Sequence, residues 1–344
     1  MKVLHINSYY IGSNFYRNLY DKQLELGIDL DVFVPVPISI DPSIYRLGDY
    51  TTISANHGKY DRIIFYLKHW KIFNDIVQNY KIQNYSMIHA HSLFSNGYIA
   101  MKLKKKFNKP YIVAVRNTDV NTFFKRMPHL RKLGVSILKE ANKVIFLSES
   151  YKEIVLRKYI PNDLKRGILD KVEVIPNGID NFWFINKGIP KHLPEGMRLK
   201  FLYVGVINKN KNITTTIKAM EYLQKEGFNV TFTIIGRIED DSIYQKIKDT
   251  SNVNYVSSMQ KEDLIKIFCN HDFFVMPSKT ESFGLVYAEA MSQGLPIIYS
   301  KGQGFDGQFE EGMVGFHVNS QHPHEIKDKV IEIIKDYYNI RPVD

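Results

Sequence analysis

Two glutamates eight positions apart, Glu281 and Glu289, lie in the most chemically suggestive segment of this 344-residue chain, Pro277-Ser-Lys-Thr-Glu281-Ser-Phe-Gly284-Leu-Val-Tyr-Ala-Glu289. An apolar run ends at Met276, a polar loop follows, and a glycine turn leads into a helical pattern that stops at Gly294-Leu-Pro296. Such a turn aims main-chain N–H groups and the positive end of a helix at whatever lies before it, which suits phosphate. A carboxylate beside a phosphate is unfavourable unless it serves another part of the same ligand, such as sugar hydroxyls. The combination points to a nucleotide-sugar site. Taken singly, Glu281 could merely complement a helix N-terminus and Glu289 could be a solvated helix residue.

Other segments could contribute to the same chemistry. Phe201-Leu-Tyr-Val-Gly205-Val-Ile-Asn-Lys209-Asn-Lys211 reads as a strand, a glycine turn and a basic loop entering a helix. Lysine is a mobile point charge well suited to a leaving diphosphate. Arg237, after Ile234-Ile-Gly236, is a further cation at a strand end. In the first half, Gly12 follows the first apolar run, and Arg116 and Asp119 occupy a loop after another strand. Arg116 could meet a phosphate or an acidic acceptor, or simply pair with Asp119. His89 and His91 stand at i and i+2, a spacing open to metal, yet no third ligand is evident, so no metal is expected. Asp29-Leu-Asp31 alternates within a strand pattern, which places its carboxylates on the solvated side of that strand.

The elements that must position these residues alternate regularly. Strands are expected at 3–7, 30–35, 87–90, 111–115, 144–147 and 172–175, with helices at 15–26, 62–80 and 98–107 between them. The pattern lapses after Ile175-Pro-Asn177-Gly178-Ile-Asp180, and a second series follows, with strands at 200–204, 229–235, 254–256, 273–276, 296–299 and 315–318. Strand–helix alternation argues for parallel sheets covered on both faces. The expectation is an α/β chain of two doubly wound Rossmann-like domains facing across a cleft: a first domain at 1–183, a linker at 184–199 and a second domain at 200–344.

Glu281-Ser-Phe-Gly-Leu-Val-Tyr-Ala-Glu289 is similar to the E-x7-E signature of the family 4 glycosyltransferases, retaining nucleotide-sugar enzymes of the GT-B fold. The resemblance implies that Glu281 lies beside the donor sugar and Glu289 holds the ribose. It also implies that main-chain N–H groups at Phe283, Gly284 and Leu285 face the diphosphate and sugar. Lys211 matches the family's lysine, but Val206 stands where an arginine is usual, leaving Lys209 or Arg237 to compensate. Gly12 resembles the family's glycine-rich first loop, with Ser13 in place of the second glycine. Asp119 matches a family aspartate, whereas Arg116 replaces a histidine that points at the donor sugar. The segment 175–180 matches the interdomain turn. A final helix crossing back onto the first domain is usual in the family and is not seen after 323–338, so either a looser closure or a shortened chain is expected.

What the resemblance implies is sugar transfer, with retention, from a nucleotide-diphosphate sugar to a hydroxyl of a glycan or lipid-linked acceptor, in bacterial surface polysaccharide synthesis. A UDP-sugar is the expected donor, used as a substrate, with no metal and no other cofactor. A sugar-nucleotide epimerase of the same fold and a non-catalytic nucleotide-sugar-binding subunit are the alternatives.

Composition agrees with a large globular chain: 44% hydrophobic, 24% charged, with a net charge of +10 that favours anionic partners. No nucleic-acid motif appears, and nucleic acid is not expected as a partner. Basic stretches at 104–109 and 123–132 mix cations with apolar residues, a composition that suits contact with an anionic membrane. Neither a signal peptide nor a transmembrane run is apparent, so a cytoplasmic location, peripheral at the inner face of the membrane, is expected. Cys269, the single cysteine, is expected to be a small core residue in a reducing compartment.

Overall fold

A computed structural model of the chain describes every residue except 13, 59, 63, 191–192, 194–197, 341 and 343–344. Ser13 and part of the expected linker therefore lie outside the described residues. Internal contacts divide the chain into two compact units, Met1–Leu147 with Tyr151–Ile175, and Ser148–Ser150 with Pro176–Asp344.

The first unit contains a seven-stranded sheet of β1 (Lys2–Ile6), β2 (Asp29–Pro37), β3 (Thr51–His57), β4 (Met87–Ala90), β5 (Tyr111–Val115), β6 (Lys143–Phe146) and β7 (Val172–Val174). Their spatial order is β3-β2-β1-β4-β5-β6-β7. The second unit contains β8 (Arg198–Val204), β9 (Asn229–Ile235), β10 (Val253–Val256), β11 (Phe273–Val275), β12 (Ile297–Ser300) and β13 (Gly315–Val318), ordered β10-β9-β8-β11-β12-β13. All pairings are parallel. Both orders are those of a doubly wound Rossmann-like sheet.

Residue type explains why the strands are buried on both faces. In β2, Leu30, Val32, Val34 and Val36 pack with Tyr10, Tyr16 and Tyr20 in one cluster, while Phe33 joins a second cluster with Ile72, Ile88 and Val113. Alternation of period two sends these side chains to opposite faces, so each face needs its own helical cover. The second unit buries one continuous core that includes Phe201, Ile234, Val275, Tyr287 and Ile298.

Strand order reverses at β1–β4 and at β8–β11, where loops leave in opposite directions and open a crevice at the carboxyl ends. The loop after β8 carries Lys211, and the loop after β11 carries Glu281. Sequence-distant residues thus become neighbours. In the first unit Gly12, His91 and Arg116 follow β1, β4 and β5.

Three local findings extend or correct the sequence reading. Strand β3, Thr51-Thr-Ile-Ser-Ala-Asn-His57, was not expected; it is a polar edge strand with little apolar alternation. Asp31 is held at the start of β2 by Lys2 at 2.9 Å and by the Tyr85 hydroxyl at 2.5 Å, while Asp29 is exposed. Cys269 is exposed and not a core residue. Helix Lys261–Cys269 buries Leu264 and Phe268, one turn apart, and Cys269 falls one residue off that stripe.

Candidate active site

The Lys211 and Glu281 side chains meet at 2.7 Å, and both are largely buried. The other Glu281 oxygen accepts the Ser282 N–H at 3.0 Å, and the Ser278 hydroxyl lies 3.3 Å from the oxygen that Lys211 holds. The Glu281 N–H donates to the Gln303 side-chain oxygen at 3.0 Å. A carboxylate held by a cation, a hydroxyl and a main-chain N–H has a fixed orientation, as a sugar-positioning group requires.

Asn210, which the sequence reading passed over, joins the two loops. Its side-chain nitrogen donates to the Thr280 carbonyl at 2.8 Å, and its oxygen accepts the Thr280 N–H at 3.0 Å and hydroxyl at 2.6 Å. Asn208 accepts the N–H groups of Asn210 and Lys211. Asn212 is left-handed and donates to the Pro277 carbonyl at 3.1 Å. The sequence signal was the alternating run Asn208-Lys-Asn-Lys-Asn212, because asparagine favours side-chain-to-main-chain turns and left-handed backbone.

Helix Leu285–Ser292 begins directly after Gly284, whose φ of +76° is left-handed. A Cβ at Gly284 would lie 2.4 Å from the Tyr287 ring, so backbone conformation and space both require glycine. Tyr287 is fully buried and donates its hydroxyl to the Met276 carbonyl, which ties the helix to the end of β11. Phe283 is buried in the same core. The N-cap contributes no side-chain hydrogen bond, which leaves this helix end open to an anion.

Glu289 stands one turn into that helix. Burial, then the nearby Asp180 charge, push its carboxyl up to about 7, against the Trp183 indole N–H and the Lys261 charge, which favour the ionised form. Lys261 itself pairs with Asp180 at 3.0 Å. Asp180, Trp183 and Lys261 are partners that the Glu281–Glu289 spacing did not reveal.

A cavity of about 340 Å³ opens at the carboxyl ends of β8 and β9, lined by Gly205, Val206, Gly236, Arg237, Met259 and Leu264 among others. Its floor requires glycine, since a Cβ at Gly236 would sit 1.8 Å from the Gly205 carbonyl oxygen. The Ile207 N–H donates to the Arg237 carbonyl at 2.8 Å, which sets Arg237 beside the Val206 position on the neighbouring strand. Arg237 pairs with Glu239 at 2.5 Å. Lys209 is highly exposed and lies 3.8 Å from Asp240, at the N-terminus of helix Asp241–Lys248.

In the first unit, Asp119 is fully buried, and its carboxylate accepts the N–H groups of Leu93, Phe94 and Arg116 at 2.8–3.0 Å. Burial pushes its carboxyl up to about 6 despite those donors. Asp119 thereby fixes the loops that follow β4 and β5. The Arg116 side chain donates from Nε to the His91 carbonyl at 3.1 Å and lies over the Tyr16 ring. Gly12 ends a short 3-10 turn after β1, and a Cβ there would meet nothing within 4 Å, so the surrounding chain does not itself require glycine.

His89 and His91 do have a third histidine beside them. His5, on β1, is in register with His89, and its Nδ1 lies 3.0 Å from His91 Nε2. Sequence reading missed it because the contact depends on β1 pairing with β4. The His89 and His91 rings stack at 4.2 Å with 23° between planes, and His91 Nε2 also lies 3.2 Å from the Tyr20 hydroxyl. One ring nitrogen from each of the three histidines lies within 4.8 Å of the others, so the third ligand that the sequence did not reveal is present.

The family profile of the glycosyl transferases group 1 matches residues 185–342, and that of glycosyltransferase family 4 matches residues 12–181. The chain belongs to the family 4, group 1 glycosyltransferases. Among curated relatives of this glycosyltransferase, the alpha-monoglucosyldiacylglycerol synthase of Acholeplasma laidlawii is 23% identical over 94% of this chain and 83% of the relative. The capsular polysaccharide biosynthesis glycosyltransferase CapM of Staphylococcus aureus is 28% identical over 57% and 53%. Among solved structures, sucrose-phosphate synthase of Thermosynechococcus elongatus superposes with a TM-score of 0.74 at 19% identity, covering 100% of this chain and 92% of the other. Anabaena HepE in complex with UDP and glucose gives 0.67 at 16%, with the same coverage. These likenesses establish the GT-B fold.

Proposed function

We propose that this glycosyltransferase moves a sugar from a nucleotide-diphosphate sugar, a UDP-sugar, to a hydroxyl of a glycan or lipid-linked acceptor with retention of anomeric configuration. The observation that carries the reading is the buried Lys211–Glu281 pair beside the Gly284 helix entrance. An arriving diphosphate competes for Lys211 and for the N–H groups at Phe283, Gly284 and Leu285, and releases Glu281 to accept sugar hydroxyls. Glu289 accepts from the ribose. Gly205 and Gly236 let the nucleotide approach the backbone in the cavity, and Arg237 supplies the cation that Val206 does not; the position of Lys209 at Asp240 makes it the weaker candidate.

In the proposed step the acceptor oxygen attacks the anomeric carbon from the face of the departing diphosphate. The bond from that carbon to the phosphate oxygen breaks, and the acceptor proton passes to the leaving phosphate. Lys211 and the helix end stabilise the charge that develops there. Asp119 and Arg116 act as loop-positioning and anion-facing groups of the first unit, and Gly12 leaves room at its first loop. Two solved complexes support a UDP-sugar donor: HepE with UDP-glucose, and a trehalose-6-phosphate protein of E. coli bound with UDP-2-fluoro glucose. CapM supports a polysaccharide role, and the Acholeplasma synthase supports a lipid acceptor.

The test is Glu281→Ala. Transfer from a donor chosen by a thermal-shift screen of nucleotide sugars should fall by roughly a hundredfold or more, while UDP affinity stays within about threefold. Unchanged turnover would remove Glu281 from the reaction and the proposal with it.

A further inference from the structure

Membrane contact was expected from two basic stretches, and the structure supplies the apolar surface between them. Helix Phe65–Asn79 buries His69, Ile72, Phe73 and Ile76 against the first unit's core. Over its first two turns it exposes Tyr66, Leu67 and Trp70, by 53%, 38% and 55%. At about 100° per residue these three fall within one arc of about 100°, turned away from the buried stripe. Tyr60 and Ile64, both exposed, lead into it. Isolated exposed apolar residues are ordinary, but five large ones within eleven positions form a patch.

The cations lie around this patch. Tyr66 meets Tyr98 edge-on at 5.8 Å, and Lys102 sits over the rings of Tyr98 and Phe73. Lys106 also lies over Phe73. On another side Phe65 contacts Phe123 at 6.2 Å, and exposed Lys125 and Arg126 follow directly in sequence. Lys102 and Lys106 thus border the aromatic stripe, and Phe123 links it to the second basic stretch. Tyrosine and tryptophan suit the boundary between acyl chains and headgroups, and lysine and arginine suit lipid phosphates. Nucleic acid would make little use of Ile64 and Leu67, which cannot stack on bases. Among the described residues no helix is long and apolar enough to cross a membrane.

We propose that this face docks on an anionic lipid bilayer, with Tyr66, Leu67 and Trp70 entering the headgroup region while Lys102, Lys106, Lys125 and Arg126 meet lipid phosphates. Docking deepens the transfer reading by bringing the enzyme to a lipid-linked acceptor, but it is measured without turnover, so the two can fail separately.

The experiment uses the full chain and vesicles of phosphatidylglycerol mixed with phosphatidylcholine, against vesicles of phosphatidylcholine alone. The chain has two tryptophans, and Trp183 is buried, so Trp70 reports insertion directly. Expected results are co-sedimentation with anionic vesicles, a blue shift of emission that Trp70→Phe abolishes, and weakening by salt. Replacing Tyr66, Leu67 and Trp70 together by serine should reduce vesicle affinity roughly tenfold or more, as should Lys102→Glu with Lys125→Glu and Arg126→Glu. UDP affinity and thermal stability of both variants check the fold. No binding to anionic vesicles, binding that the serine variant retains, or binding confined to a single-stranded oligonucleotide would overturn the inference.

Discussion

Glu289 illustrates the conflict between stability and ligand binding at a single residue. Its carboxyl titrates near 7 in the folded chain, raised from an ordinary 4.5 by burial and by Asp180. The charged form is the costly one, so the stability that Glu289 contributes is greatest below about 4.5 and falls as pH rises through 7. Ribose hydroxyls, however, need the ionised carboxylate as acceptor. UDP affinity should therefore rise between pH 6 and pH 8 in the intact protein. Glu289→Gln should flatten that profile and weaken UDP binding roughly tenfold, while stabilising the fold at pH 8 by on the order of 1–3 kcal/mol and far less at pH 5. Calorimetric titration with UDP and thermal melts at the two pH values measure both effects. Equal UDP affinity in the variant would take the ribose role away from Glu289.

At the scale of elements, Asn210 shows what the sequence can and cannot disclose. The strands were legible because Val- and Ile-rich runs buried on both faces leave little else for a chain to do, and the Gly284 turn into a helix was legible from residue type. Edge strand β3 was not, since five of its seven positions are polar and only one residue is buried. The Asn210–Thr280 clasp was not legible either: it exists only because strand order places the loops after β8 and β11 side by side, 70 positions apart in sequence. His5 escaped notice for the same reason, and Cys269 was misplaced because local apolar neighbours do not say which way a helix turns. The clasp is testable. Asn210→Ala removes three hydrogen bonds and should cost about 1–2 kcal/mol of stability. It should also lower kcat roughly tenfold, because Lys211 and Glu281 lose their fixed separation. A melt that shifts without any change in kcat would confine Asn210 to a structural part.

Across the whole molecule, the buried titratable groups are unequally shared between the two units, and acid should reveal it. His5, His69, His89 and His91 all lie in the first unit and are held neutral by burial, His69 and His89 at about 4 and the other two well below the ordinary 6.5. A histidine with a depressed folded value contributes stability above 6.5, and that contribution is lost as pH falls from 6.5 towards 4, because the unfolded chain binds the proton first. The loss is on the order of 2 kcal/mol per histidine by pH 5. Asp119 works the other way, since protonation relieves its burial below about 6, but it is one group against four. In the second unit the raised carboxyl of Glu289 also gains on acidification. Lowering the pH from 7 to 5 should therefore destabilise the first unit and spare the second. Hydrogen exchange followed by mass spectrometry at the two pH values resolves them: amides of β1, β4 and β5 should lose protection while those of β8, β11 and β12 keep it. Replacing His69 and His89 together by glutamine should blunt the loss in the first unit. Equal loss in both units, or loss in the second alone, would mean that these histidines do not govern the acid response.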